Sequence, residues 1–182
     1  MTFSKRRTLL AAGATLAIGL GGRKARAATS SIVPKPEDSK PPGKEVPEIE
    51  FNTADGALRT LKDYVGKGVV LNFWATWCVP CITEMPALAK LAGLVKDANV
   101  VVLPLSSDRG GAAAVERYFR EKEIEGLPVL LDPRGAAARA IGARGIPTTL
   151  LIDAQGRERG RLEGAADWAD PAAVAAVKEL AK

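Results

Sequence analysis

Cys78-Val79-Pro80-Cys81 holds the only two cysteines of a chain of 182 residues, and it falls where one kind of local structure gives way to another. The apolar run Val69–Trp74 reads as a buried strand; from Val79 onward the apolar residues recur at helical spacing, with Pro80 accommodated in the first turn. Cys78 is therefore expected at or just before a helix N-terminus. Unpaired backbone N–H groups and the helix macrodipole favour an anion there, so its thiolate should form at lower pH than that of a free cysteine. Cys81, one turn further in, is within reach of a disulfide with Cys78 and is expected to be the more buried of the two. The pattern is that of a redox pair.

Other uses of paired cysteines fit less well. A structural zinc site needs four ligands, and the chain has no histidine and no third cysteine. Covalent haem attachment needs a histidine after the second cysteine, where this chain has Ile82. A purely structural disulfide stays open, but closing so short a loop stabilises by only about 2 kcal/mol. The strand–C-x-x-C–helix context favours redox chemistry.

Residues 1–27 read as an export signal of the twin-arginine type. Arg6-Arg7 precedes the apolar run Leu9–Leu20, which is too short to span a bilayer as a straight helix, and Ala25-Arg26-Ala27 supplies a small-residue cleavage site. The alternatives are a general secretory signal with a chance arginine pair, or an uncleaved anchor. This segment carries six basic and no acidic residues, leaving 20 of the 26 basic side chains against all 21 acidic ones. The excess of positive charge thus belongs to the signal, and no nucleic-acid-binding surface is expected on the remainder. Export to the periplasm also suits an unmodified dithiol that must be managed by partners.

Residues 28–45, rich in proline and charge, read as an extended spacer, with an ordered arm as the alternative. Residues 46–182 are enough for one domain with a sizeable core. Strands and helices alternate along it, which argues α/β. Expected strands are Glu48–Thr53 and Leu58–Thr60 as a hairpin about Asp55-Gly56, then Val69–Trp74, Val100–Leu105, Leu127–Leu131, Thr148–Ile152 and Glu158–Leu162. Expected helices are Val79–Asp97, residues 111–122, Ala136–Ile141, and a last one capped by Asp170-Pro171 and running to Ala181. In the first, Met85, Leu88, Leu91, Leu94 and Val95 form the apolar stripe, and Pro86 should kink the helix.

Gly145-Ile146-Pro147-Thr148-Thr149 is the second signal. A proline ahead of a strand-like run cannot donate to a ladder and belongs at a strand start or tight turn. Asn72–Cys81, Glu84-Met85-Pro86-Ala87-Leu88 and Gly145–Asp153, in this order, resemble the TlpA/ResA-type thiol–disulfide oxidoreductases of the thioredoxin superfamily, over about residues 46–182. The resemblance implies a thioredoxin-like fold, a central mixed β-sheet flanked by helices with an N-terminal β-hairpin extension. It implies Cys78 as nucleophile, Cys81 as resolving thiol, and a cis Pro147 against the dithiol. Ile146 and Thr148 would meet an extended segment of the partner, with Trp77, Val79 and Pro80 completing the contact surface.

The position of the buried aspartate of cytosolic thioredoxins is Asn72 here, which cannot relay a proton. Glu84, where this branch often carries an acid, is either the group that takes the Cys81 proton or a solvated residue on the polar face of the helix. Trp77 is expected at the surface and Trp74 in the core. Val79-Pro80 adds no charge to stabilise the thiolate, which leans toward a reductant. The resemblance implies a disulfide in a copper-binding oxidase assembly factor or apocytochrome c as substrate, and a membrane electron donor. No cofactor or metal is implied, and a monomer is expected. A disulfide oxidase or isomerase, and a redox-inert binding module on the same scaffold, are the alternatives.

Overall fold

The structure, a computed structural model, describes residues 43–182. The expected signal at 1–27 and the spacer up to residue 42 lie outside the described residues. The strands are β1 Lys44–Glu45, β2 Glu50–Thr53, β3 Leu58–Thr60, β4 Gly68–Trp74, β5 Val100–Ser106, β6 Leu130–Leu131, β7 Thr148–Ile152 and β8 Arg157–Glu163. The helices are α1 Val79–Val95, α2 Gly111–Glu121, α3 Ala136–Ala140 and α4 Pro171–Lys178. One sheet runs β1-β8-β7-β4-β5-β6-β2-β3. β4, β5 and β6 are parallel neighbours, while β7 and β8 return antiparallel on one side and the β2–β3 hairpin joins β6 antiparallel on the other.

Every residue of β4 is buried, as a near-continuous apolar strand covered on both faces must be. Its side chains alternate between two cores. Val70 and Trp74 join Cys81, Met85, Leu88 and Leu91 of α1, Val115 and Phe119 of α2, and Val177 of α4. Val69, Leu71 and Phe73 join Phe51 of β2, Leu130 of β6, and Ala137 and Ile141 around α3. Trp74 stacks on Phe119, with ring centroids 5.7 Å apart and planes 4° apart, and tilts against Tyr118 at 5.4 Å. The aromatic wall thus ends four residues ahead of Cys78.

Several elements depart from the sequence expectation. The strand expected at Leu127–Leu131 keeps only its last two residues, because Gly126 has a left-handed φ of 78° and Pro128 has no N–H to pair. Leu94 is 45 % exposed. It lies about 100° around the helix from Val95, and Val95 continues the buried face. The last helical turn before Lys182 is a separate 3₁₀ turn, Glu179–Ala181. The spacer expected to run to residue 45 joins the sheet earlier, since Lys44 and Glu45 pair with Glu158 and Arg157 and cover the edge of β8.

α1 runs through Pro86, which cannot supply the N–H that the Ile82 carbonyl would normally receive. The Tyr118 hydroxyl from α2 donates to that carbonyl instead, at 3.3 Å. The proline-freed acceptor therefore ties α1 to α2.

The 3₁₀ turn at the C-terminus packs against the start of β4. A Cβ added at Gly68 would lie 2.7 Å from Leu180 Cβ and 3.1 Å from both the Leu180 carbonyl carbon and Val100 Cγ2. Gly68→Ala should therefore destabilise the fold by about 1–3 kcal/mol, the scale of core overpacking. Guanidinium unfolding of the oxidised protein measures it; an unaltered midpoint would show that the C-terminal turn is not held against the sheet.

Candidate active site

Cys78 is the N-cap of α1, with extended backbone angles (φ −90°, ψ 103°), and its sulfur accepts the Cys81 N–H at 3.3 Å. Cys78 and Cys81 are joined in a disulfide. Cys81 is fully buried, while Cys78 keeps a small exposed fraction. The Cys78 sulfur also lies 3.7 Å from the Ile146 carbonyl oxygen, so the loop before β7 closes over the outer sulfur. The Ile146–Pro147 peptide bond is cis. The Gly164 N–H at the end of β8 donates to the Pro147 carbonyl at 2.9 Å, and the Thr148 hydroxyl donates to the Gly145 carbonyl at 2.7 Å. Arg144 and Glu163 form a two-pronged ion pair at 3.0 and 2.7 Å across the same loop.

The expected contact residues divide into two groups. Trp77 and Val79 are 67 % and 70 % exposed, and Pro80 is exposed beside them. Together they make an apolar rim around Cys78. Ile146 is half-buried, whereas Pro147 and Thr148 are buried. The Thr148 side chain is turned inward, its hydroxyl bonded to the Gly145 carbonyl of its own loop.

Glu84 is 2 % exposed, which removes the reading of a solvated polar-face residue. Its Oε1 accepts from Asn72 Nδ2 at 2.9 Å; its Oε2 accepts from the Ala166 N–H at 3.0 Å and from Trp168 Nε1 at 2.9 Å. Asn72 gives its second N–H to Thr149 Oγ1 at 2.8 Å, and its own Oδ1 is left without a hydrogen-bond partner. An unpaired buried acceptor costs about 1–3 kcal/mol, so the amide is turned to serve the carboxylate at the expense of its own oxygen. Burial raises the Glu84 carboxyl above its ordinary value, and the three donors only partly oppose it.

Two further residues belong to the site. Asp108, buried in the loop after β5, accepts the Thr76 N–H at 2.9 Å, the Thr76 hydroxyl at 2.6 Å and the Ser106 hydroxyl at 2.7 Å. It thereby anchors the turn that carries Trp77 and Cys78. Trp168, fully buried, reaches Glu84 from the segment ahead of α4. Neither belongs to a short motif. Trp168 stands out in sequence only as a lone aromatic in an alanine-rich stretch, and Asp108 only as an acid just past a strand end.

The arrangement is a disulfide at a helix start, with the loop before β7 against its outer sulfur and a buried carboxyl one turn beyond its inner one. Comparison with known proteins points the same way. Residues 42–159 match the model of the AhpC/TSA family. The thiol-disulfide oxidoreductase ResA of Bacillus thuringiensis is 35 % identical over 122 residues, 67 % of this chain and 69 % of that protein. Among solved structures, the exposed lipoprotein thioredoxin Etrx1 of Streptococcus pneumoniae is 31 % identical with a TM-score of 0.61, over 74 % of this chain and all of the other. A thiol:disulfide interchange protein DsbE of Chlorobium tepidum is 27 % identical with a TM-score of 0.63, over 76 % of this chain and 93 % of the other.

The raised Glu84 carboxyl sets a sign for stability against pH. A carboxyl whose value is higher folded than unfolded contributes its full stability below the unfolded value, here the ordinary 4.5, and loses it as pH rises through the folded value. The unfolding free energy of the wild type, taken relative to Glu84→Gln, should therefore fall as pH rises above the ordinary carboxyl value of 4.5. Urea unfolding of both proteins from that value upward checks it, and a constant difference would contradict the placement.

Proposed function

The chain belongs to the AhpC/TSA family as a thiol–disulfide oxidoreductase of the ResA type, and on that premise we propose that it reduces disulfides in exported proteins. The observation that carries the reading is Cys78 at the N-cap of α1, its sulfur against the Ile146 carbonyl and its rim apolar and exposed. Cys78 is the sulfur a partner can reach. In the reduced protein its thiolate is favoured by the helix N-terminus and by the Cys81 N–H.

The exchange proceeds in two displacements. The Cys78 thiolate attacks one sulfur of the partner disulfide, whose S–S bond breaks, and the leaving partner thiolate takes up a proton. Cys81 then gives its S–H proton to Glu84 and attacks the Cys78 sulfur. The mixed disulfide breaks, and the second partner thiolate leaves and is protonated. Two electrons pass to the partner, and the protein ends as the Cys78–Cys81 disulfide. An extended partner segment laid along the loop at Ile146, Pro147 and Thr148, over Trp77, Val79 and Pro80, would present its disulfide to Cys78.

Direction follows from what surrounds the thiolate. Val79 and Pro80 bring no charge between the cysteines, so the reduced form lacks the extra stabilisation that makes strong oxidants. A reductant outside the cytoplasm needs a membrane electron donor to return it to the dithiol. The twin-arginine-type signal at residues 1–27 supports a periplasmic site of action. Among the described residues no helix is long and apolar enough to cross a membrane. A copper-binding assembly factor or apocytochrome c is the substrate class that the family likeness favours, with the protein acting as a monomer.

The two cysteines are not equivalent in this scheme, and that is its test. Cys81→Ala should accumulate covalent mixed disulfides with its partner in the exported compartment, whereas Cys78→Ala should accumulate few. Non-reducing purification of the Cys81→Ala adduct identifies the partner. A copper-binding or cytochrome apoprotein supports the reductant, a broad set of secreted proteins overturns it in favour of an oxidase or isomerase, and equal trapping by both variants overturns the assignment of roles.

A further inference from the structure

The two oxygens of Glu84 are not alike. Oε2 receives two donors, the Ala166 N–H at 3.0 Å and Trp168 Nε1 at 2.9 Å, while Oε1 receives only Asn72 Nδ2. A carboxylate oxygen has two lone-pair sites, so Oε2 is filled and Oε1 keeps one open. Both donors on Oε2 come from the segment between β8 and α4. Trp168 lies 84 positions from Glu84 in sequence, and its ring is fully buried in the core shared with Cys81 and Met85.

We infer that Trp168 is a positioning residue for the resolving step, holding Glu84 Oε2 so that Oε1 is the oxygen that receives the Cys81 proton. The inference rests on the reading of Glu84 as the acceptor of that proton. An indole N–H can only donate, so it supports the carboxylate and has no acceptor to offer the acid. A hydroxyl in its place would adapt to either form. Burial alone would favour the neutral acid, and the Ala166, Trp168 and Asn72 donors are the influences acting against it. The other group bonded to Glu84 is uncharged: Asn72 from β4, which is shared with Thr149 of β7; Cys81, one turn back on α1, is buried with it. Asp167 and Asp170, on the same segment as Trp168, accept N–H groups of Ala169, Ala172 and Ala173 and cap their own backbone.

Trp168→Phe in the full chain keeps the aromatic packing and removes the donor. With Cys78 held as a mixed disulfide to thionitrobenzoate, release of the probe against pH should show a rising limb in the wild type and none in Glu84→Gln. In Trp168→Phe the limb should move upward by about one pH unit, the scale of one hydrogen bond to a charged group. Release should be about tenfold slower below the midpoint and unchanged on the plateau above it. Carboxyl carbon resonances of the reduced protein should report the same upward move for Glu84 itself.

If Glu84→Gln abolishes the limb and Trp168→Phe leaves both limb and resonance in place, the role of Trp168 is overturned while that of Glu84 stands. A limb that survives Glu84→Gln overturns the reading of Glu84 and, with it, any part for Trp168 in resolution. Should Trp168→Phe fail to fold, the wild-type indole N–H proton resonance of Trp168 serves instead. It should shift with pH in step with the Glu84 carboxyl, and an indole signal constant through that titration overturns the inference.

Discussion

Burial of β4 on both faces is the constraint from which the rest of the structure follows. A strand without a solvent side must present alternate residues to two cores, and Val70, Asn72 and Trp74 fall on the side of α1. The chain leaves that strand at Trp74 and must turn at once to begin the helix that covers it. Cys78 lands at the start of α1 because the turn from Ala75 to Cys78 is short, and the turn is held short by Asp108, whose carboxylate receives both the amide and the hydroxyl of Thr76. β7, antiparallel to β4, begins beside the end of that strand, with Thr148 opposite Phe73, and so brings the Ile146–Pro147 loop against the dithiol. Two sequence segments almost seventy positions apart meet because both border the same central strand.

The same face of β4 carries a polar residue into the core. Asn72 is fully buried and would be a liability unpaired. Its partner Glu84, one turn beyond Cys81, would be worse still as an isolated buried charge. Together with Thr149, the Ala166 amide and Trp168 they form a network that is mostly satisfied, apart from Asn72 Oδ1. Buried polar networks of this kind are expensive to leave incomplete, which explains why a strand, a helix and the segment ahead of α4 are all recruited to one carboxylate. The result is a buried carboxyl one helical turn beyond Cys81. That environment holds its carboxyl above the ordinary value, with burial as the main cause.

Outward from the dithiol the surface changes character. Trp77, Val79 and Pro80 are left exposed where a lone soluble domain would gain by covering them. The loop facing them is tied down by the Thr148 hydroxyl, the Gly164 amide and the Arg144–Glu163 pair. A firm loop thus stands beside an apolar, exposed rim at the outer sulfur.

Much of this was legible in the chain alone, for local reasons. The C-x-x-C at a strand-to-helix junction, the apolar run of β4, the surface Trp77 and the core Trp74 all depend on neighbours within a few residues, and periodicity reports those directly. The brevity of β6 was harder, because Pro128 competes with an otherwise strand-like composition. Leu94 lies at the edge of the helix stripe, where spacing alone leaves burial undetermined until the neighbouring elements are known. For Glu84 the i, i+3 position after Cys81 says nothing about what packs over it, so spacing does not distinguish a buried acid from a solvated one. Only the tertiary structure decided that it is buried and who donates to it. Trp168 and Ala166 come from more than eighty residues away, and a hydrogen bond across that separation leaves no trace in local pattern or spacing.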